Sequence, residues 1–173
     1  MKIAHYLALT ALMLCLLTPT TTASRCLGLA FEGAQDLGAW EAGVFKGLTE
    51  ASKPEDVQYD VVGGVSTGAL NALGIAMYAK GQEAEAADYL VNFWRNLDSS
   101  DVYENWSFGL IQGVVEKGFY NNEPFRGTLR DFYHTEKLQR GFTATITNYD
   151  SGEPETYTEN HFKSTLENVL MAS

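Results

Sequence analysis

Tyr59-Asp60-Val61-Val62-Gly63-Gly64-Val65-Ser66-Thr67-Gly68-Ala69-Leu70-Asn71-Ala72 is the stretch that decides how this chain folds. Tyr59-Asp60-Val61-Val62 reads as a strand. Gly63 to Ser66 turn the chain. From Thr67 to Lys80 the spacing predicts a helix, with Leu70, Leu73 and Met77 on one face and Ala69, Ala72 and Ala76 as a small face. Within this passage Gly64-Val65-Ser66-Thr67-Gly68 has the form G-x-S-x-G. A nucleophile held on a sharp strand-to-helix turn needs small neighbours, because the backbone there is strained and closely packed. Gly64 and Gly68 supply that room, and the turn presents Ser66 at the start of a helix, where peptide dipoles favour developing negative charge. The plainer alternative is a glycine-rich turn carrying an incidental serine. The strand before the motif and the helix after it are what the nucleophile reading demands.

Working back towards the N-terminus, Cys26-Leu27-Gly28-Leu29-Ala30-Phe31 is a compact apolar run, as expected for a strand of a parallel sheet. A tight loop spans Glu32 to Asp36. Leu37, Trp40, Val44 and Leu48 then recur at helical spacing and predict an apolar face, with Ala39, Gly43 and Gly47 as a small-residue stripe implying close approach to another element. The loop Gly33-Ala34-Gln35-Asp36-Leu37-Gly38 lies between strand and helix, so its amides suit an oxyanion or a phosphate. The dinucleotide fingerprint needs a middle glycine where Gln35 stands, and no Gly-Lys-Ser/Thr phosphate loop is present.

Working forward, Ala87, Leu90, Val91, Trp94 and Leu97 follow an amphipathic helical pattern, with Glu83, Glu85 and Asp88 as its solvated acidic face. Asp98 to Asn105 is a polar connection. Asn122 and Pro124 open a helix that buries Phe125, Leu129, Phe132 and Tyr133. Phe142, Ala144 and Ile146 alternate with threonines as a strand, and Asp150-Ser151-Gly152 turns it into a hairpin with Glu155 to Thr158. Phe162, Leu166, Val169 and Leu170 begin a last helix, inside which the sequence stops without a cap signal, the pattern of a chain cut short. Strand, loop, helix, strand, turn, helix is the opening of a parallel α/β sheet.

Gly33 to Gly43 and Tyr59 to Ala72 together resemble the patatin-like phospholipase family; Phe142 to Gly152 and Asn168-Val169-Leu170-Met171-Ala172-Ser173 are similar to later family positions. The resemblance implies a three-layer α/β/α fold with a mainly parallel central sheet, over residues 25–173, incomplete at the C-terminus. It implies that Ser66 is the nucleophile of a Ser–Asp dyad acting on a lipid ester. It also implies that the amides of Gly33, Ala34 and Gln35 form the oxyanion hole, that Gly38, Gly64 and Gly68 are structural glycines of loop and elbow, and that neither cofactor nor metal is needed. The chain departs from the family pattern in two places. Ala34 and Gln35 stand where the family has glycines, and Leu37 where it has a basic residue. The Asp-Gly-Gly or Asp-Gly-Ala motif that carries the family's aspartate is absent from these 173 residues, so the dyad's acid is expected outside them and the chain as it stands is expected to be inactive. Two other readings stay open: a catalytically dead relative that binds lipid or a protein partner, and an unrelated α/β serine esterase with a downstream His and acid.

The first 24 residues read as a secretory signal peptide: Lys2, an almost wholly apolar run from Tyr6 to Leu17, then Pro19, threonines and Ala23-Ser24. No second long apolar segment follows, so the mature chain has no transmembrane anchor and is expected to be secreted. The formal net charge is -10, which disfavours nucleic acid and anionic lipid as partners. Removing the signal takes away only Lys2's charge. Cys15 goes with the signal and Cys26 is left without a partner in the sequence. Asn105-Trp106-Ser107 is a glycosylation sequon. His134 and His161 are read as a helix-end residue and a loop residue, Asp60 as structural and Asp150 as a turn residue.

Overall fold

The computed structural model describes residues 26–173, except Lys117 and Glu136; the side chains of Leu110 and of 162–164 are also outside the description. The expected signal segment 1–24 and the expected burial of Phe162 therefore fall outside the described residues. Four strands form one sheet in the order β1 (Gly28–Phe31), β2 (Val61–Val65), β3 (Gly141–Thr147), β4 (Pro154–Thr158). β1, β2 and β3 are parallel, and β4 returns antiparallel to β3. The chain is thus α/β with a mainly parallel sheet, and the hairpin expected at 142–158 is present. Its helices are α1 (Gly38–Ala51), α2 (Thr67–Ala76), α3 (Glu83–Asn96), α4 (Gly109–Val115), α5 (Glu123–Phe132) and α6 (Phe162–Ala172).

Alternation along the strands separates two faces. Leu29, Val62 and Phe142 are register partners, and Val62, Phe142 and Ala144 are buried. Their neighbours Val61, Gly63, Thr143 and Thr145 are only half-buried. α2 lies across all three parallel strands and is buried along Gly68–Ala76, its leucines and alanines alike. The small face serves close packing. A Cβ on Gly74 would come within 2.4 Å of Leu90 of α3.

α1 is oriented differently from its sequence pattern. Leu37, Trp40, Val44 and Leu48 are the exposed side, Leu37 by 63 % and Trp40 by 70 %. Gly38, Ala42 and Phe45 are buried instead. The cause is tertiary. Phe45 packs edge-on against Phe31 and tilted against Tyr59, and Gly38 lies beneath the Trp94 ring, where an added Cβ would sit 2.6 Å from the indole. Gly43 and Gly47 have open space around them. The close approach expected of the Ala39/Gly43/Gly47 stripe is therefore made by Gly38 and Ala42.

Glu83 also departs from its solvated reading. It is buried with Arg140, Nη1 to Oε1 2.6 Å, and accepts hydrogen bonds from the amides of Tyr59 and Gly81. Arg140 also donates to the carbonyls of Tyr59, Tyr78 and Ala79. A buried ion pair persists only when its other donors and acceptors are satisfied in this way. It ties the entry of β2, the end of α2 and the approach to β3 into one joint.

Candidate active site

Ser66 stands between β2 and α2 with φ 56° and ψ -130°. A non-glycine residue in this region is strained and persists only where its surroundings hold it. The surroundings are close. A Cβ on Gly64 would lie 2.3 Å from the Gly68 carbonyl carbon, and one on Gly68 would lie 2.3 Å from the Glu32 carbonyl oxygen and 2.7 Å from that of Phe31. Both positions admit only hydrogen, so the end of β1 and the first turn of α2 meet backbone to backbone. This is the tight turn that the G-x-S-x-G spacing predicts.

The loop after β1 lies against this turn. A Cβ built on Gly33 would be 3.3 Å from the Ser66 Cβ. The Ala34 amide donates to Thr67 Oγ1 at 3.2 Å, which clips the loop to the helix start and engages one of the three amides assigned to the oxyanion hole. The amides of Gly33 and Gln35 make no hydrogen bond among the described residues. Gln35 has φ 51°, the second non-glycine residue in the left-handed region. Ala34, at φ -134°, does not share it. The position that a glycine would fill without strain is thus held by glutamine.

The Ser66 amide donates to Ser173 Oγ at 2.5 Å, and Ser173 Oγ in turn lies 3.4 Å from the Thr145 carbonyl. The last residue of the chain therefore touches the elbow, which the spacing of the sequence does not suggest. His134 packs edge-on against Tyr78 and Tyr89, and His161 accompanies Tyr157 and Thr158. Asp60 pairs with Lys80 and accepts from the Leu27 amide. The Lys80 ammonium beside it, and then that amide, hold its carboxyl below the usual carboxylate range. It is a strand-entry clamp, as expected. Asp150 lies in the hairpin turn, its amide donating to Asn148 Oδ1.

Beside the elbow opens a cleft of about 670 Å³, lined by Gln35, Thr67, Leu70, Trp94, Val102 and Phe125 among others. Its size and mostly apolar wall suit a small organic or acyl ligand. Sequence reasoning missed the residue that shapes it. Asn71 is fully buried. It accepts from Trp94 Nε1 at 2.7 Å and donates to the Gly38 carbonyl at 2.9 Å and to Glu41 Oε2 at 3.1 Å. Glu41 Oε1 accepts from the Glu32 amide. One amide side chain thus links the loop, the elbow helix and the cleft wall. The available signal was a lone polar residue within the apolar run Ala69-Leu70-Asn71-Ala72-Leu73.

Cys26 is exposed and unpaired among the described residues. No helix among them is long and apolar enough to cross a membrane. None of the curated proteins compared matches the chain. The sequence model of the patatin-like phospholipase family matches residues 29–172, from within β1 to the end of α6. That span holds the strained serine, its glycine neighbours and the loop beside it, and on this match the chain belongs to the patatin-like phospholipase family.

Proposed function

We propose that the protein is a secreted lipid acyl hydrolase that uses Ser66 as nucleophile. Family membership supports a lipid substrate. The observation that carries the role of Ser66 is its strained backbone at a glycine-walled turn, with Gly33 against it. In the reaction, Ser66 Oγ attacks the acyl carbon of a lipid ester while its proton passes to the carboxylate of a dyad aspartate, placed by this reading outside the 173 residues. The carbonyl oxygen gains the negative charge, and loop amides stabilise it as hydrogen-bond donors. Collapse breaks the ester C–O bond and releases the alcohol, which takes the proton. Water then attacks the acyl-serine and returns the free serine and a fatty acid. Neither a cofactor nor a metal enters this scheme. Export through the signal 1–24, and glycosylation at the exposed Asn105, belong to the same reading.

One observation favours the second reading, an inactive lipid-binding relative: the Ala34 amide is already engaged by Thr67, beside a loop in which Gln35 replaces glycine. A fluorophosphonate probe separates the two. The hydrolase reading expects the full protein to label at one serine and Ser66→Ala to lose the label. Labelling that survives Ser66→Ala removes Ser66 as nucleophile. A wild-type protein that takes no label, while still binding lipid, supports the inactive relative.

A further inference from the structure

The segment after the cleft wall carries an apolar face turned the wrong way for a water-soluble helix. In α4, Ile111, Val114 and Val115 share one side at helical spacing, and they are 80 %, 80 % and 73 % exposed. Phe108 before the helix is 80 % exposed and Phe119 after it 84 %. The inward side is carried by Gly113, which is buried, where a Cβ would sit 2.7 Å from the Gly118 carbonyl oxygen and 3.3 Å from the Trp106 ring. The Trp106 indole N–H donates to that same carbonyl at 2.9 Å. The helix is therefore packed through its glycine and displays Ile111, Val114 and Val115. Contiguous exposed apolar residues of this kind mark a binding surface rather than the chance exposure of single residues.

The face is joined to the cleft. The ends of the segment are closed by the Glu104–Asn121 bridge, with both backbone hydrogen bonds formed. Next to that bridge, Tyr103 packs on Tyr120 with ring centroids 4.9 Å apart, and Tyr103 lines the cleft itself.

We infer that the exposed side chains of Phe108, Ile111, Val114, Val115 and Phe119 dock the protein on an uncharged or zwitterionic lipid surface and so bring aggregated substrate to the cleft beside Ser66. This rests on the lipid acyl hydrolase reading. The charge of the chain decides the occupant. Between Trp106 and Tyr120 the only charged residues are Glu116 and Lys117, of opposite sign, while the whole chain carries -10. Attachment by apolar insertion is compatible with that charge, and attraction to anionic headgroups is not. A second copy would bring the same -10 to the contact. Five side chains also fall well short of the roughly 20–30 residues a side that a standard stable protein interface uses.

The test is co-flotation with vesicles of ether-linked phosphatidylcholine, which has no ester to cleave, so binding is read apart from turnover. The wild-type protein is expected to float. The triple variant Ile111→Ser, Val114→Ser, Phe119→Ser is expected to lose on the order of 1000-fold in partition coefficient, because each withdrawn side chain removes apolar area from the contact. Phe108→Asp alone is expected to lose about tenfold. Since these residues are solvent-exposed, circular dichroism and thermal unfolding should stay as in the wild type. Trp40→Ser with Val44→Ser, on the other exposed apolar face, should leave flotation unchanged. Replacing part of the lipid by phosphatidylserine should weaken it. Wild-type protein that does not float overturns the inference, as does equal flotation of the folded triple variant. So does self-association that the triple variant abolishes while flotation persists. Fluorophosphonate labelling of Ser66 without vesicles reports the hydrolase reading separately, so a failure of docking and a failure of the nucleophile are told apart.

Discussion

The same chemical change, glycine to alanine, should have opposite effects at Gly68 and at Gly43. At Gly68 the new methyl would sit 2.3 Å from the Glu32 carbonyl oxygen, 2.7 Å from the Phe31 oxygen and 2.8 Å from the Phe31 carbonyl carbon. An ordinary contact needs 3.4 Å or more, so the end of β1 and the start of α2 must part by about 1 Å. All three obstacles are backbone atoms, which no rotamer change can move. Overpacking of this kind costs about 1–3 kcal/mol. A displacement of about 1 Å at the nucleophile costs roughly 100-fold in rate. At Gly43, on the exposed side of α1, nothing lies within 4 Å. There alanine contributes about 1 kcal/mol of stability through its better helix propensity. The two variants should therefore differ by about 2–4 kcal/mol in urea unfolding. Gly68→Ala should also label with fluorophosphonate about 100-fold more slowly, with Gly43→Ala unchanged. If both variants shift stability by the same amount, or if Gly68→Ala labels at the wild-type rate, the close backbone packing of the elbow is not what holds Ser66.

Other expectations follow from the same contacts. Gln35→Gly should raise stability by about 0.5–1 kcal/mol in urea unfolding, because it relieves a positive φ at the cost of some unfolded-state freedom; a loss would mean that the glutamine side chain holds the loop. Arg140→Met should cost about 3–5 kcal/mol by leaving Glu83 buried without its partner, and Glu83→Leu added to it should recover part of that loss. A purely additive pair would refute the coupling. The Asp60 carboxyl is held below its usual value of 3.8 by Lys80. Its contribution is therefore present above that pH and is lost as pH falls through the depressed value. Asp60→Asn should accordingly flatten the acid limb of a stability–pH curve, measured below about pH 4, and leave its neutral region with the same slope. An unchanged acid limb would discount the clamp.

Short-range rules made the elbow legible. A strand pattern, G-x-S-x-G and a helix pattern are contiguous, and strain at Ser66 is a property of a few bonds whose glycine neighbours stand in the same pentad. The alternation of β3 and its hairpin was readable for the same reason, since strand period and turn chemistry are local. What lay beyond local rules was orientation. Trp40, Val44 and Leu48 have the spacing of a core face, yet Phe45 fits the pocket between Phe31 and Tyr59 and turns α1 over. Glu83 sits in an acidic stretch that reads as solvated, and only Arg140, 57 positions away in sequence, makes its burial tolerable. Asn71 gains its role from a tryptophan on α3 and a carbonyl on α1.

From the residues alone came the α/β class, the order of the strands and of every helix but α4, the position of the serine and the loop that should face it. Folding in three dimensions decided which amides of that loop are free, which face of α1 is dry, that Ser173 meets the elbow, and that α4 shows Ile111, Val114 and Val115 to the outside. The division has one physical source. Hydrogen bonding and steric limits along the backbone act between near neighbours, whereas burial depends on partners that only the folded chain brings together.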